Sequence, residues 1–106
     1  SGGLKKRVAI AGILAYEPDV LILDEPACGL DGESREQLWN LVRKLNREKN
    51  VTIILASHDM EDVYEMSERI LLMEHGRIVY DGGTGEFFED RSLLERYGID
   101  VSGCPE

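Results

Sequence analysis

Apolar residues cluster along the chain in runs of strand length, separated by segments that mix apolar and charged positions. The runs "VLIL" at 20–23 and "VTIILAS" at 51–57 are dominated by apolar residues, which is typical of strands covered on both faces in a parallel sheet. Later in the chain, "RILLME" and "RIVYD" flank His75–Gly76. This arrangement predicts two strands joined by a tight turn, in which the glycine supplies a positive φ.

The segments between the apolar runs predict helices, because their apolar residues recur at helical spacing. In residues 33–48 the apolar stripe consists of Leu38, Leu41, Val42 and Leu45. In residues 4–15 it consists of Leu4, Val8, Ala11 and Ala15. Further helices are expected at 60–67, with Asp59 as a candidate cap, and near 85–89 and 92–97, after a turn at "GGTG" 82–85.

The order of these elements predicts an α/β sandwich with a mainly parallel sheet, because strands alternate with crossovers of helix length. The chain has 106 residues, which is enough for one small domain. The longest apolar runs are far too short to span a membrane, and no signal peptide is visible. Any role at a membrane is therefore expected to come through a partner.

Charge and cysteine content narrow the possible partners. The formal net charge of −9 argues against nucleic acid or an anionic membrane surface, since both require clustered Lys and Arg. The short basic cluster Lys5–Lys6–Arg7 is interpreted as a solvated helix face. Cys28 and Cys104 lack the spacing of a metal site and are too few for a disulfide scaffold, which indicates a reducing cytosol.

Polar side chains stand where two of the predicted strands end. Asp24 and Glu25 follow the first apolar run, and Ser57, His58 and Asp59 follow the second. Ligands of parallel α/β sheets bind at the carboxyl ends of the strands, and these two ends would be neighbours if the strands pair. The pattern therefore predicts a site with two acids and a histidine at one edge of the sheet.

Successive side chains of a strand point to opposite faces, so Asp24 and Glu25 are expected to have different roles. One carboxylate can hold a hard cation, typically Mg²⁺ through water, and the other can orient or deprotonate a water molecule. His58 could contact charge that develops in a transition state. The alternative interpretation is that the two acids cap the next helix and that His58 is an ordinary loop residue.

The first three residues, Ser1, Gly2 and Gly3, directly precede a predicted helix. Free backbone N–H groups and the positive end of the helix dipole favour a phosphate at such a position. The same three residues can also be left by cloning.

One interpretation of the first strand is a two-component receiver domain. The stretch "EPDVLILDEPACGLDG" resembles the receiver segment in which a strand ends in the phosphorylated aspartate, here Asp24. Receivers also need an earlier acidic pair that binds Mg²⁺ and a later lysine after a strand. Only one helix precedes Asp24, and "RILLMEHG" has no lysine.

The complete order of motifs resembles the ATP-binding-cassette (ABC) ATPases over about residues 1–90. Ser1–Gly2–Gly3 resembles the end of the signature sequence, "LILDEP" the Walker B strand, "ACGLD" the D-loop and "ASHD" the loop of the switch histidine. The stretch "SHDMEDVYEMSERILLMEHGRIVYDGG" is closest to ATPases of energy-coupling-factor importers. Ala27 and Cys28 stand where this group commonly has Thr and Ala.

The resemblance implies a three-layer P-loop NTPase-like core with a mainly parallel sheet and a C-terminal antiparallel hairpin. Residues 1–100 would form the C-terminal part of the nucleotide-binding domain, and residues 101–106 a loose tail. The N-terminal half, with the Gly-rich phosphate loop, is absent from the 106 residues. Because that loop cradles the β- and γ-phosphates, the chain alone is expected to be inactive.

The resemblance also implies a transport-coupled ATPase that uses ATP and Mg²⁺. Asp24 would hold Mg²⁺ through water, Glu25 would activate the water that attacks the γ-phosphate, and His58 would be the switch histidine. The expected process is import of a vitamin or a metal ion.

The implied partners are a second ABC ATPase subunit and transmembrane transporter subunits, with no nucleic acid. In a head-to-tail dimer, Ser1, Gly2, Gly3 and Asp31 would contact the nucleotide held by the other subunit. The expected location is peripheral, on the cytoplasmic face of the cell membrane.

Overall fold

The computed structural model describes residues 2–105, so Ser1 and Glu106 lie outside the described residues. The helices are α1 (Gly2–Leu14), α2 (Gly32–Glu48), α3 (Met60–Met66), α4 (Thr84–Glu89) and α5 (Arg91–Arg96). The strands are β1 (Val20–Asp24), β2 (Thr52–Ala56), β3 (Arg69–Glu74) and β4 (Arg77–Gly83). Each element that the sequence pattern predicts is present, and its ends differ from the prediction by at most two residues.

The chain divides into two compact units, the first ending at Ser57 and the second beginning at His58. The first unit contains the parallel pair β1–β2, and the second contains the antiparallel hairpin β3–β4. These are two separate two-stranded sheets. The α/β class, with parallel strands followed by a C-terminal antiparallel hairpin, is confirmed.

The core of the first unit is built around α2, which contacts both α1 and β2. Asp31 caps this helix by accepting a hydrogen bond from the Ser34 N–H at 2.8 Å. The predicted stripe is largely correct, since Leu38, Val42 and Leu45 are buried and Leu41 is half-buried. Trp39, beside the stripe, is buried as well, so the apolar face is wider than the sequence analysis proposed.

The strands of the first unit are covered on one face, where the sequence analysis expected cover on both. Leu21 and Leu23 of β1 are buried, whereas Val20 and Ile22 are exposed, Ile22 by 68%. Ile54 of β2 is exposed too. Every second residue along β1 is buried, so the alternation of burial follows the pleat of the strand.

The buried face of α1 also differs from the predicted one. Leu4 and Val8, proposed as part of the apolar stripe, are 54% and 62% exposed, while Gly3 and Ile10 are buried. A Cβ at Gly3 would lie 2.7 Å from the Cβ of Ser34, so α1 and α2 approach each other closely at this point. A glycine at that contact sets the buried face, because only a residue without a side chain fits there.

The second unit begins with α3, which Asp59 caps as predicted by accepting hydrogen bonds from the Glu61 and Asp62 N–H groups. The turn between β3 and β4 has positive φ at both His75 (50°) and Gly76 (75°). Two such residues are typical of the type I′ turn that joins tight hairpins. The register shifts between Leu72 and Met73, where the hairpin has a bulge or irregularity.

The "GGTG" segment is not the turn that the sequence predicts. Gly82 and Gly83 continue β4 and pair with Ile70 and Arg69, and α4 begins at the next residue, Thr84. The Thr84 N–H donates to the Glu68 carbonyl oxygen at 3.1 Å, so the strand leads into the helix without an intervening loop.

An aromatic core stabilises the second unit. Phe87 is 1% exposed and packs edge-to-face with Tyr80 and Phe88, with ring centroids 5.4 and 5.0 Å apart. Val101, in the segment expected to be a loose tail, also packs against the cluster that contains Phe87. The Cys104 N–H donates to the Val101 carbonyl oxygen at 3.0 Å, so residues 101–104 form a hydrogen-bonded turn.

Candidate functional site

The two predicted strand ends lie side by side in the first unit. In the parallel pair, Asp24 is the register partner of Ala56, and the Glu25 N–H donates to the Ala56 carbonyl oxygen at 2.8 Å. Because β1 and β2 pair, the two strand ends are adjacent, as predicted. The pairing places both acids next to the segment that leads into Ser57.

The two acids differ in backbone and in exposure. Asp24 is the last residue of β1 and is exposed, whereas Glu25 lies one residue beyond the strand and is half-buried. Glu25 has a φ of 46°, in the left-handed region that non-glycine residues rarely adopt. Strand alternation therefore does not set the direction of the Glu25 side chain. A strained residue costs about 1–3 kcal/mol, and such residues are concentrated at functional sites.

A compact loop at residues 25–31 carries the chain from the strand tip to α2. The Cys28 N–H donates to the Glu25 carbonyl oxygen and the Leu30 N–H to the Ala27 carbonyl oxygen, each at 3.2 Å. Gly29, with a φ of 78°, occupies a backbone conformation that a side chain would strain. These turns set the path of the backbone between the acid pair and Asp31.

Asp31 caps α2, and the acid pair does not, which rules out the interpretation in which Asp24 and Glu25 cap the next helix. Hydrogen bonds from the backbone and then the side chain of Ser34 hold the pKa of Asp31 below its ordinary value. The carboxylate is therefore ionised at neutral pH. Its capping role was not predicted from the sequence, although an aspartate three residues before Ser34 and next to Gly32 is a common start of a helix.

The candidate phosphate-binding residues fall at the beginning of α1. Ser1 lies outside the described residues, and Gly2 and Gly3 are the first two residues of α1. Gly2 is exposed, and a Cβ there would lie 3.4 Å from Leu30 Cδ2, which is an ordinary contact. Gly3 is instead buried at the contact with Ser34. The structure thus gives Gly3 a packing role whether or not a phosphate binds nearby.

His58 is exposed and is the first residue of the second unit, directly before the helix cap Asp59. Asp24 and Glu25 belong to the first unit. The predicted site with two acids and a histidine therefore involves residues of both units, and the role of His58 in it stays a prediction.

Two residues of the basic cluster are not a solvated face as the sequence analysis proposed. Lys6 Nζ donates to the Cys28 carbonyl oxygen at 3.2 Å, and Arg7 Nη1 donates to Gln37 Oε1. Both side chains are half-buried, whereas Lys5 is exposed. The spacing contains a hint of this arrangement, because Gly3, Lys6 or Arg7, and Ile10 share one helical face.

Within residues 2–105, no group of three or more His, Cys, Asp or Glu side chains is arranged to hold a metal ion. A magnesium ion that is bound to phosphates keeps several waters and takes only one or two carboxylates from the protein. The exposed carboxylate of Asp24, at the end of β1, fits that requirement as one ligand. None of the helices among the described residues is long and apolar enough to cross a membrane.

Comparisons with known proteins show which proteins the chain is similar to. No family model matches the chain. The energy-coupling factor transporter ATP-binding protein EcfA2 of Clostridium perfringens is 50% identical over 101 residues, which are 95% of this chain and 35% of that protein. EcfA2 of Clostridioides difficile is 45% identical over 102 residues, 95% of this chain and 35% of the relative. The chain thus spans about a third of the length of these relatives.

Solved structures show the same similarity to ATP-binding proteins of transporters. The cbiO1 protein of Clostridium perfringens, part of the ABC transporter complex cbiONQ, has a TM-score of 0.75 and 37% identity, over 95% of this chain and 40% of that one. This chain is a relative of the ABC ATPases. A dimeric ATP-binding cassette in a post-hydrolysis state, bound to ADP and Pi, has a TM-score of 0.68 and 33% identity, over 79% of this chain and 36% of that one.

These findings confirm the resemblance to ABC ATPases and, more closely, to those of energy-coupling-factor transporters. They give the receiver alternative no support. The roles of individual residues, from Gly2 to His58, are not tested by the similarity and stay predictions.

Proposed function

We propose that the chain forms part of the ATP-hydrolysing subunit of an ABC transporter and contributes the carboxylate that activates the attacking water. The observation that carries this proposal is the place of Glu25 at the tip of β1, next to the end of β2. Glu25 is half-buried, directly follows the exposed Asp24, and donates its backbone N–H to the Ala56 carbonyl oxygen of the neighbouring strand. The names of the relatives, which are ATP-binding proteins of transporters, support the same conclusion.

The two acids divide the chemistry between them. Asp24 would hold Mg²⁺ through water, and such an ion would supply positive charge against the phosphate oxygens. Glu25 orients a water molecule and accepts its proton as the water attacks the γ-phosphate of ATP. His58 contacts the charge that develops in the transition state.

The remaining predicted site residues serve a second nucleotide. In a head-to-tail dimer with another ABC ATPase subunit, Ser1, Gly2, Gly3 and Asp31 approach the nucleotide held by that subunit. The dimeric structure with ADP and Pi supports a dimer as the working form. The chain itself contains no Gly-rich phosphate loop, so we expect it to be inactive in isolation.

The dimer acts on transmembrane subunits at the cytoplasmic face of the membrane, where closure of the dimer drives transport. The relation to cbiO1, which is part of an ABC transporter complex, supports such partners. The relation to energy-coupling factor transporter proteins supports import of a vitamin or a metal ion.

Turnover of a complete ABC ATPase that carries these 106 residues tests the proposal. Glu25→Gln should lower kcat by about 10²–10⁴, because a general base is lost, while ATP binding persists and the dimer stays closed. Glu33→Gln is the matched control, since it removes an acidic charge from the first turn of α2 in the same unit. If Glu25→Gln turns over ATP like the unmodified protein, Glu25 is not the catalytic carboxylate.

Two further variants separate the other roles. Asp24→Asn should shift the Mg²⁺ concentration needed for half-maximal activity, because a ligand of the ion loses its charge. His58→Ala should lower kcat with a smaller effect on KM, as expected for a contact made mainly in the transition state. A loss of ATP affinity at unchanged kcat would instead make His58 a ground-state binding residue.

A further inference from the structure

Lys6 reaches from α1 to the middle of the loop that contains Glu25. Its Nζ donates to the Cys28 carbonyl oxygen at 3.2 Å, across 22 residues of sequence. The donor carries a full positive charge, and hydrogen bonds with a charged partner are stronger than those between neutral groups. The contact therefore joins two elements that are far apart in the chain.

The loop at residues 25–31 is attached at both ends as well. At its start the Glu25 N–H donates to the Ala56 carbonyl oxygen, and at its end Asp31 accepts from the Ser34 N–H. Lys6 supplies an attachment between these two points. The position of Glu25 at one end of the loop thus depends on α1 as well as on the strands.

The same end of α1 contacts the other end of the loop. Gly2 faces Leu30, with 3.4 Å between an ideal Cβ and Leu30 Cδ2, and Gly3 packs against Ser34 at the start of α2. The beginning of α1 and the loop therefore form one set of contacts inside the first unit.

We propose that Lys6 is a positioning residue that couples the start of α1 to the catalytic carboxylate Glu25. The inference rests on the proposed function, in which the start of α1 approaches the nucleotide of the second subunit and Glu25 serves its own. Under that arrangement, Lys6 makes the geometry of one hydrolysis site depend on occupation of the other.

Kinetics of the complete ATPase provide the first test. Lys6→Met keeps an unbranched side chain as far as the ε position and removes the donor, and we expect kcat to fall about tenfold while KM changes less than about twofold. Lys6→Arg keeps a charged donor and should restore most of the loss. Lys5→Met is the matched control, because it removes the same charge from the exposed neighbouring position.

Cys28 provides a second test that does not depend on catalysis. It is an exposed free thiol in the middle of the loop, and Cys104→Ser removes the second free cysteine. Alkylation of Cys28 by a maleimide should be about threefold to tenfold faster in Lys6→Met, because the loop loses one attachment. Lys5→Met and Lys6→Arg should alkylate at the rate of the parent.

The two tests separate this inference from the proposed function. If Glu25→Gln abolishes turnover while Lys6→Met matches the parent in kcat and in alkylation rate, the inference about Lys6 is overturned and the proposed function stands. If Glu25→Gln turns over normally, the proposed function fails, and coupling to a catalytic carboxylate fails with it. Far-UV circular dichroism checks folding, and Lys6→Gln replaces Lys6→Met if the latter unfolds.

Discussion

The two units of the chain have similar elements and very different charge. The residues up to Ser57 include eight Lys or Arg and eight Asp or Glu, whereas those from His58 onward include four and thirteen. The whole formal net charge of −9 therefore belongs to the second unit. The net charge of the whole chain hides this difference. The first unit, which contains the candidate phosphate-binding residues and the acid pair, is neutral overall. Its net charge therefore does not repel a nucleotide.

The hydrophobic cores of the two units also differ. The first unit buries mainly aliphatic side chains around α2, together with Trp39, the one tryptophan of the sequence. The second unit is centred on Phe87 and its edge-to-face contacts with Tyr80 and Phe88. Fluorescence of Trp39 therefore reports on the first unit, and amide hydrogen exchange in β3 and β4 reports on the second.

The largest expected effect comes from Phe87→Ala. Phe87 is almost completely buried, and truncation of such a side chain leaves a cavity that costs about 3–5 kcal/mol. Amide exchange in β3 and β4 should accelerate strongly, while the unfolding midpoint reported by Trp39 stays within error. The measurements are hydrogen exchange by mass spectrometry and denaturation followed by fluorescence.

Leu38→Ala is the matched variant of the first unit, because Leu38 is fully buried in α2. It should lower the midpoint reported by Trp39 and spare β3 and β4. If each variant shifts both readouts equally, the chain unfolds as one cooperative unit and the comparison between the units loses its thermodynamic meaning.

A smaller effect is expected from Gly3→Ala, which tests whether α1 is held by packing as well as by polar contacts. The new methyl group would lie 2.7 Å from Ser34 Cβ, and such overpacking costs about 1–3 kcal/mol. Trp39 fluorescence should report a lower midpoint. Gly12→Ala in the same helix is the control, since its new Cβ meets no atom within 4 Å beyond the local helix backbone, and alanine favours helix by about 0.5–1 kcal/mol. A Gly3→Ala protein as stable as its parent would show that α1 is not tightly packed there.

How much the sequence predicts also differs between features. The strands, the acid pair at the end of β1 and most of the stripe of α2 were predictable, because apolar runs mark the strands and their ends, and helical periodicity marks the stripe. The face of α1 was not, because Gly3 has no apolar side chain to mark the buried position. Trp39 was missed because the wider stripe extends past the periodic leucines.

The details of the candidate site lie beyond what periodicity can predict. A glutamate gives no indication of left-handed backbone, so the positive φ of Glu25 follows from its attachment to β2 and from the loop. A lysine in a basic cluster usually faces solvent, so the contact of Lys6 with Cys28 could be seen only in the structure. Both features depend on residues that are distant in sequence.

The smallest expected effect concerns how stability depends on pH through two carboxylates, one in each unit. Hydrogen bonds from Ser34 lower the pKa of Asp31, and the side chain of Arg69 lowers the pKa of Asp81, whose carboxylate it contacts at 2.8 and 2.7 Å. A lowered pKa in the folded state means that the ionised carboxylate stabilises the fold above its ordinary pKa. That contribution disappears as the pH falls through the lowered value, below about pH 4.

Asp31→Asn should keep the helix cap, because asparagine caps nearly as well as aspartate, and should remove only the ionisation. The Trp39 midpoint of this variant should therefore fall less steeply below about pH 4 than that of the parent.

Asp81→Asn should leave the pH dependence of the Trp39 midpoint unchanged and reduce the pH dependence of amide exchange in β3 and β4. If the Trp39 unfolding midpoints of Asp31→Asn and of its parent fall equally with pH, the charge of Asp31 does not stabilise α2. A change of the Trp39 curve by Asp81→Asn would show that the hairpin charge contributes to the stability of the first unit.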